Sequence, residues 1–142
     1  MPSDLLFVYG TLRRFHDNAT QRLLQGHSVF LGEAYAKGQL YWIDGYPGMV
    51  PSPDPSDRVV GEVYRLTSPI ILREIDRYEG YGPDFPEPNE FLRTEGVVTR
   101  KDTGEPLKCF LYVYNRSVDG RVRIESGDFF AAGAPTDKVD SL

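Results

Sequence analysis

The chain reads as an α+β domain built on a curved, mixed, mostly antiparallel β-sheet. Two observations predict this. Strand-like apolar runs outnumber helical ones, and they follow one another in hairpin order rather than alternating strictly with helices.

Taken in order, Leu5 to Val8 is a short continuous apolar run stopped by Tyr9-Gly10, the pattern of a strand buried on both faces. Asn18 or Thr20 can cap a short helix through Leu24 that Gly26 would end. Val29 to Trp42 reads as strand, with Gly32 and Gly38 marking bulges or close backbone approach. Asp44 to Gly48 is a dense turn, and Pro51 to Asp57, with three prolines, is expected as a surface loop. Val59 to Leu66 is a further strand. Ser68 as N-cap and Pro69 at the first helical position open a helix to about Glu79, with Gly80 as its C′ residue. Tyr81 to Asn89 carries three prolines and is expected to be irregular. Phe91 to Arg100 and Leu107 to Asn115 form a predicted hairpin through Asp102-Thr103-Gly104. Ser126 to Leu142 has weak periodicity, and its last ten residues are expected to fray.

The length of 142 residues suits one domain over residues 1–142, with a core from about 5 to 130. Such a chain buries enough surface to fold without metal or disulfide. Lys plus Arg number 16 and Asp plus Glu 21, a net charge of −5 with no basic stripe, which argues against nucleic acid as a partner. The lone Cys109 lies in an apolar run and reads as a packing residue. The first apolar run is too short for a signal segment and no stretch approaches a membrane span, so the expectation is a cytoplasmic protein with no membrane partner. His16 and His27 lack metal-ligand spacing, and no serine elbow, phosphate loop or dinucleotide signature occurs, so neither metal nor cofactor is expected.

Two places remain where chemistry could reside. On a projection of the helix Ser68 to Glu79 at about 100° per residue, Ile71, Leu72, Ile75, Tyr78 and Glu79 share one side, and Arg73, Glu74 and Arg77 the other. A carboxylate on the apolar side, at the negative end of the helix dipole, should have a raised pKa and suit proton transfer near neutrality. Position alone leaves this open against a Glu79 that swings into water or is neutralised by an Arg. Asp76, at the edge of the same face, is a lesser candidate. The second place is Tyr9-Gly10-Thr11-Leu12, where a buried strand meets a Gly turn whose amides can receive a carboxylate or an oxyanion. A plain tight turn is the ordinary alternative. Arg93, just after the proline-rich loop, and Tyr114, which shares a strand face with Tyr112, are further candidates; an ion pair or core packing would explain them equally.

Together these segments resemble the γ-glutamylcyclotransferase-like family. The resemblance rests on Phe7-Val8-Tyr9-Gly10-Thr11-Leu12-Arg13, Leu31-Gly32, Gly38-Gln39-Leu40-Tyr41 and Tyr46-Pro47-Gly48. It continues with Val60-Gly61-Glu62-Val63-Tyr64, Ile75-Asp76-Arg77-Tyr78-Glu79-Gly80, Tyr112-Val113-Tyr114 and Ser126-Gly127-Asp128-Phe129. It implies a small barrel-like sheet with flanking helices. It also implies a pocket in which the Tyr9 to Leu12 backbone holds a substrate α-carboxylate, and a catalytic Glu79. Arg93 and Tyr114 complete the expected substrate-binding set. The implied reaction cyclises a γ-glutamyl-type amide to 5-oxoproline with release of an amine, and it uses no cofactor. The implied partner is a small molecule with a free amino-acid end. Two other readings are a non-catalytic module that binds an amino-acid-like anion, and an enzyme acting on another amide. The loop 81–89 is a candidate lid or specificity wall.

Overall fold

A computed structural model describes residues 4–14 and 18–132. His16 and the predicted frayed end, 133–142, lie outside the described residues. Strand β1 (Leu5–Val8) is followed by α1 (Ala19–Gly26), β2 (Ser28–Trp42), β3 (Pro47–Pro51) and β4 (Arg58–Leu66). Helix α2 (Pro69–Glu79), β5 (Phe91–Arg100), β6 (Pro106–Tyr114), β7 (Arg123–Ile124) and α3 (Phe129–Ala132) complete the order.

The sheet runs β3-β2-β4-β1-β6-β5, and β5 pairs back onto β2, so β2, β4, β1, β6 and β5 close into a barrel. All pairings are antiparallel except β1 with β6. The fold is thus α+β, a closed mixed barrel with helices outside it. β1 sits centrally and alternates its side chains. Phe7 joins a cluster of strand residues with Ala34, Val63, Val98 and Cys109, whereas Leu6 and Val8 meet Leu24, Ile71 and Ile75 of the helices. The first cluster fills the barrel and the second seals the helices onto it. Cys109 is fully buried in the first, and burial pushes its thiol up to about 12, the behaviour of a packing residue.

The glycines of β2 do what their positions foretold. The register slips between Phe30 and Gly32, where φ is +138°. A Cβ at Gly38 would lie 2.9 Å from the Val50 carbonyl. The β5–β6 turn uses Gly104 at φ +74°, and its amide donates to Arg100 at 2.9 Å.

Three elements differ from expectation. Pro47–Pro51, expected as turn and loop, is a strand that pairs with the far half of β2 from Gly38↔Pro51 to Trp42↔Pro47. Its prolines end the run on an edge strand, where few amides are needed. The two-residue β7, which borders β2 at Leu40 and Tyr41, and the short α3 have too few residues to leave a periodic signal.

Candidate active site

β1 delivers the chain to the turn Gly10–Arg13, closed by the Arg13 amide donating to the Gly10 carbonyl at 3.0 Å. A Cβ at position 10 would come within 2.7 Å of the Pro47 ring, so only Gly allows β3 to close on the turn. The amides of Gly10, Thr11 and Leu12 donate to no described residue. Neighbouring groups hold the rest of the turn. The Asn18 side-chain amide donates to the Thr11 carbonyl at 2.7 Å, and the same side chain caps α1 through the Gln21 amide. The Thr11 hydroxyl shares a 2.6 Å hydrogen bond with Tyr78. Tyr9 is buried, its hydroxyl donating to the Tyr112 carbonyl at 2.7 Å and accepting from the Met49 amide at 3.2 Å.

Behind the turn lies a buried charge cluster. Glu62, 2% exposed, receives Arg13 Nε at 3.2 Å, the Arg14 amide at 2.8 Å and the Tyr64 hydroxyl at 3.1 Å. Arg13 also reaches Asp128 at 2.7 Å and lies over the Phe130 ring. Every charge in this cluster is met, as burial demands.

Helix α2 sets the second wall. Ser68 caps its start by accepting from Ile70 at 3.3 Å. At its end Gly80 adopts φ +73°, the Gly80 amide donates to Arg77 and the Tyr81 amide to Asp76, which is a Schellman closure. That closure fixes Glu79 as the last helical residue, on the side of buried Ile71 and Ile75. Its carboxyl makes no hydrogen bond or ion pair with any described residue. Burial first, then the charges of Glu90 and Asp76, push it up to about 8. The expected rise is present; its electrostatic part comes from neighbouring carboxylates.

Turn and helix end line one cavity of about 280 Å³. Tyr9, Gly10, Thr11, Leu12 and Glu79 are all on its wall. So are four polar residues the sequence did not single out as binding groups: Tyr46, Tyr78, Glu90 and Tyr112. Among the described residues no Lys, Arg or His lines it. Tyr46 donates its hydroxyl to Glu90 Oε2, and burial together with that carboxylate raises the phenol's pKa. Tyr46-Pro47-Gly48 was visible as a motif, but its meeting with Glu90 depends on folding.

Arg93 and Tyr114, expected in the binding set, do not line the cavity. Register places Arg93 beside Tyr112, and both turn to Asp76: Arg93 Nη1 at 2.6 Å and the Tyr112 hydroxyl at 2.5 Å. Arg93 is therefore the ion pair that its alternative reading foresaw. Tyr114 packs edge-on against Phe91 with ring centroids 5.4 Å apart, and Gly48 closes over it. The loop 81–89 is irregular as expected, pinned by Asn89 bonding to Gly82, and stands apart from the cavity; only its flanking residue Glu90 reaches the wall. Among the described residues no three His, Cys, Asp or Glu side chains form a group that could hold a metal, and no helix is long and apolar enough to cross a membrane.

Known proteins share this fold and part of this sequence. A sequence model described as "Gamma-glutamyl cyclotransferase, AIG2-like" matches residues 6–131. The chain is 35% identical over 133 residues to the gamma-glutamylcyclotransferase family protein YtfP of Escherichia coli, covering 87% of this chain and 94% of that protein. The solution structure of ytfP from Escherichia coli is similar with a TM-score of 0.61 at 32% identity, over 89% of this chain and 96% of that one. YkqA from Bacillus subtilis gives 0.68 at 26% identity, over 100% of this chain and 44% of that chain. An AIG2-like protein from Mus musculus gives 0.63 at 26%, over 80% and 78%.

Proposed function

Because the chain belongs to the gamma-glutamyl cyclotransferase, AIG2-like family, we propose that it cyclises γ-glutamyl-type amides to 5-oxoproline, with Glu79 as general acid and base. The observation that carries this reading is the unpaired Glu79 carboxyl opening into the same cavity as the unengaged amides of Gly10, Thr11 and Leu12.

The substrate's α-carboxylate sits against those amides, which supply fixed dipoles without a cation. That anchors the α-nitrogen near Glu79. The α-ammonium first releases one proton to solvent, which leaves a neutral amine. The amine nitrogen attacks the γ-carbonyl carbon and forms the ring C–N bond while Glu79, as carboxylate, takes a second proton from it. As the tetrahedral centre collapses, the bond to the departing nitrogen breaks and Glu79 returns the proton to it. The products are 5-oxoproline and an amine. The nucleophile lies within the substrate, so positioning supplies much of the acceleration. A carboxyl held near 8 exchanges protons with amines at little energetic mismatch.

The test incubates wild type and Glu79→Gln with a panel of γ-glutamyl amides and dipeptides and reads 5-oxoproline by mass spectrometry. Product from wild type alone is expected. Full turnover by the Gln variant would sink the mechanism.

A further inference from the structure

Glu90 has no part in the proton transfers described above, yet it is built into the cavity with care. Its main-chain carbonyl accepts from the Asn115 amide at 2.8 Å, which fixes the start of β5. Tyr46 holds Oε2, while Oε1 has no partner among the described residues. Arg93 is committed to Asp76, Arg77 to Glu74, Arg116 to the Pro88 carbonyl and Arg121 to the Ile43 carbonyl. Among the described residues the cavity wall therefore presents two carboxyl groups and no basic side chain. Two carboxyl groups facing one cavity do not both ionise readily until a ligand supplies compensating charge.

The substrate's own parts divide the wall. Its α-carboxylate belongs to the Gly10–Leu12 amides and its α-nitrogen to Glu79, which leaves Glu90 and Tyr46 for the departing amine. We propose that Glu90 is the specificity residue of this pocket: it holds a second positive charge on the departing amine, so the preferred substrates are γ-glutamyl amides of diamines, and amides whose departing amine carries a carboxylate are poor. This rests on the cyclotransferase reading above. Charge then balances group by group. The α-nitrogen gives one proton to solvent and one to Glu79, and the distal ammonium stays paired with Glu90 throughout. An added carboxylate would instead meet an anionic wall.

The experiment compares three γ-glutamyl amides of matched length, made from 1,4-diaminobutane, n-pentylamine and 4-aminobutanoate. kcat/KM for 5-oxoproline release is measured with wild type, Glu90→Gln and Tyr46→Phe. Wild type should favour the diamine amide over the pentylamide by about tenfold, the size of one charge-assisted hydrogen bond, with the aminobutanoate amide poorest. Glu90→Gln should bring the diamine and pentyl amides to within about twofold of each other, whatever it does to the rate they share. Tyr46→Phe should lose part of the preference. Turnover of all three amides without regard to charge, or a preference that survives Glu90→Gln, would overturn the inference and leave the cyclotransferase reading standing. No 5-oxoproline from any amide would instead defeat that reading. NMR titration with 1,4-diaminobutane alone then decides the role of Glu90: saturable shifts at the cavity in wild type but not in Glu90→Gln support it, and their absence in wild type refutes it.

Discussion

Glu62 and Glu79 are the same side chain placed in opposite circumstances, one against Arg13 and Arg14 and the other in the cavity that Gly10–Leu12 line. Glu62 is wholly enclosed and met by a guanidinium, an amide and a phenol. Glu79 faces a cavity, meets no partner among the described residues, and is pushed up to about 8. The first carboxylate is satisfied and therefore chemically quiet; it braces the Gly10–Arg13 turn from behind. The second is left in need of a proton or a cation, which a substrate can supply. Burial alone does not mark a functional carboxylate; burial without a partner, beside an open cavity, does.

The contrast predicts opposite responses to the same substitution. Glu79→Gln should lower turnover by about 10²–10⁴-fold, the usual reach of a positioned acid–base group. The variant should nevertheless be the more stable protein above neutrality. Glu79 binds its proton more tightly folded than unfolded, so wild-type stability falls as pH rises from the ordinary Glu range through about 8 and then levels. The variant escapes that loss. Its advantage should be absent near about pH 4 and reach about 2–4 kcal/mol above pH 8, read by urea unfolding at both pH values. Equal stability at both would mean that Glu79 is not destabilising in the free protein.

Glu62→Gln should do the reverse, destabilising the fold by about 3–5 kcal/mol because Arg13 is left buried with half its compensation. Thermal unfolding checks this; a loss below about 1 kcal/mol would show the cluster to be dispensable.

Gly10→Ala tests the turn between the two carboxylates. The added methyl would meet Pro47 at 2.7 Å, so β3 or the turn must shift. The expected stability loss is about 1–3 kcal/mol, with KM raised more than kcat is lowered. The smallest expected effect is electrostatic. Removing the Glu90 charge by Glu90→Gln should move the Glu79 titration from about 8 toward the ordinary carboxylate value, since the Glu90 charge contributes to the rise. Carbon-13 NMR of the Glu79 carboxyl would follow it.

The sequence revealed the parts of this site that are local. Ser68-Pro69 and Gly80 bracket α2, and the position of Glu79 on its apolar side follows from helical geometry. The Gly10 turn likewise follows from a buried run ending at a glycine. What stayed hidden depends on residues far apart in the chain. Tyr46 meets Glu90 only because β3 adds to the far half of β2, and Pro47–Pro51 looks like a loop until that pairing exists. Arg93 looked like a binding group, but the β5–β6 register sets it beside Tyr112, where Asp76 claims both. Tyr112, rather than its face-mate Tyr114, reaches the cavity because Phe91 and Gly48 cover the latter.

The measurement that bears most directly on the role of Glu79 is the pH dependence of kcat/KM for 5-oxoproline release by wild type, set beside folded Glu79→Gln on the same γ-glutamyl amide. The account predicts a wild-type rate that rises with pH through an ionisation near 8, and a variant lowered by about 10² or more that lacks this ionisation. A variant that keeps the wild-type rate and the same limb would show that another group moves the proton.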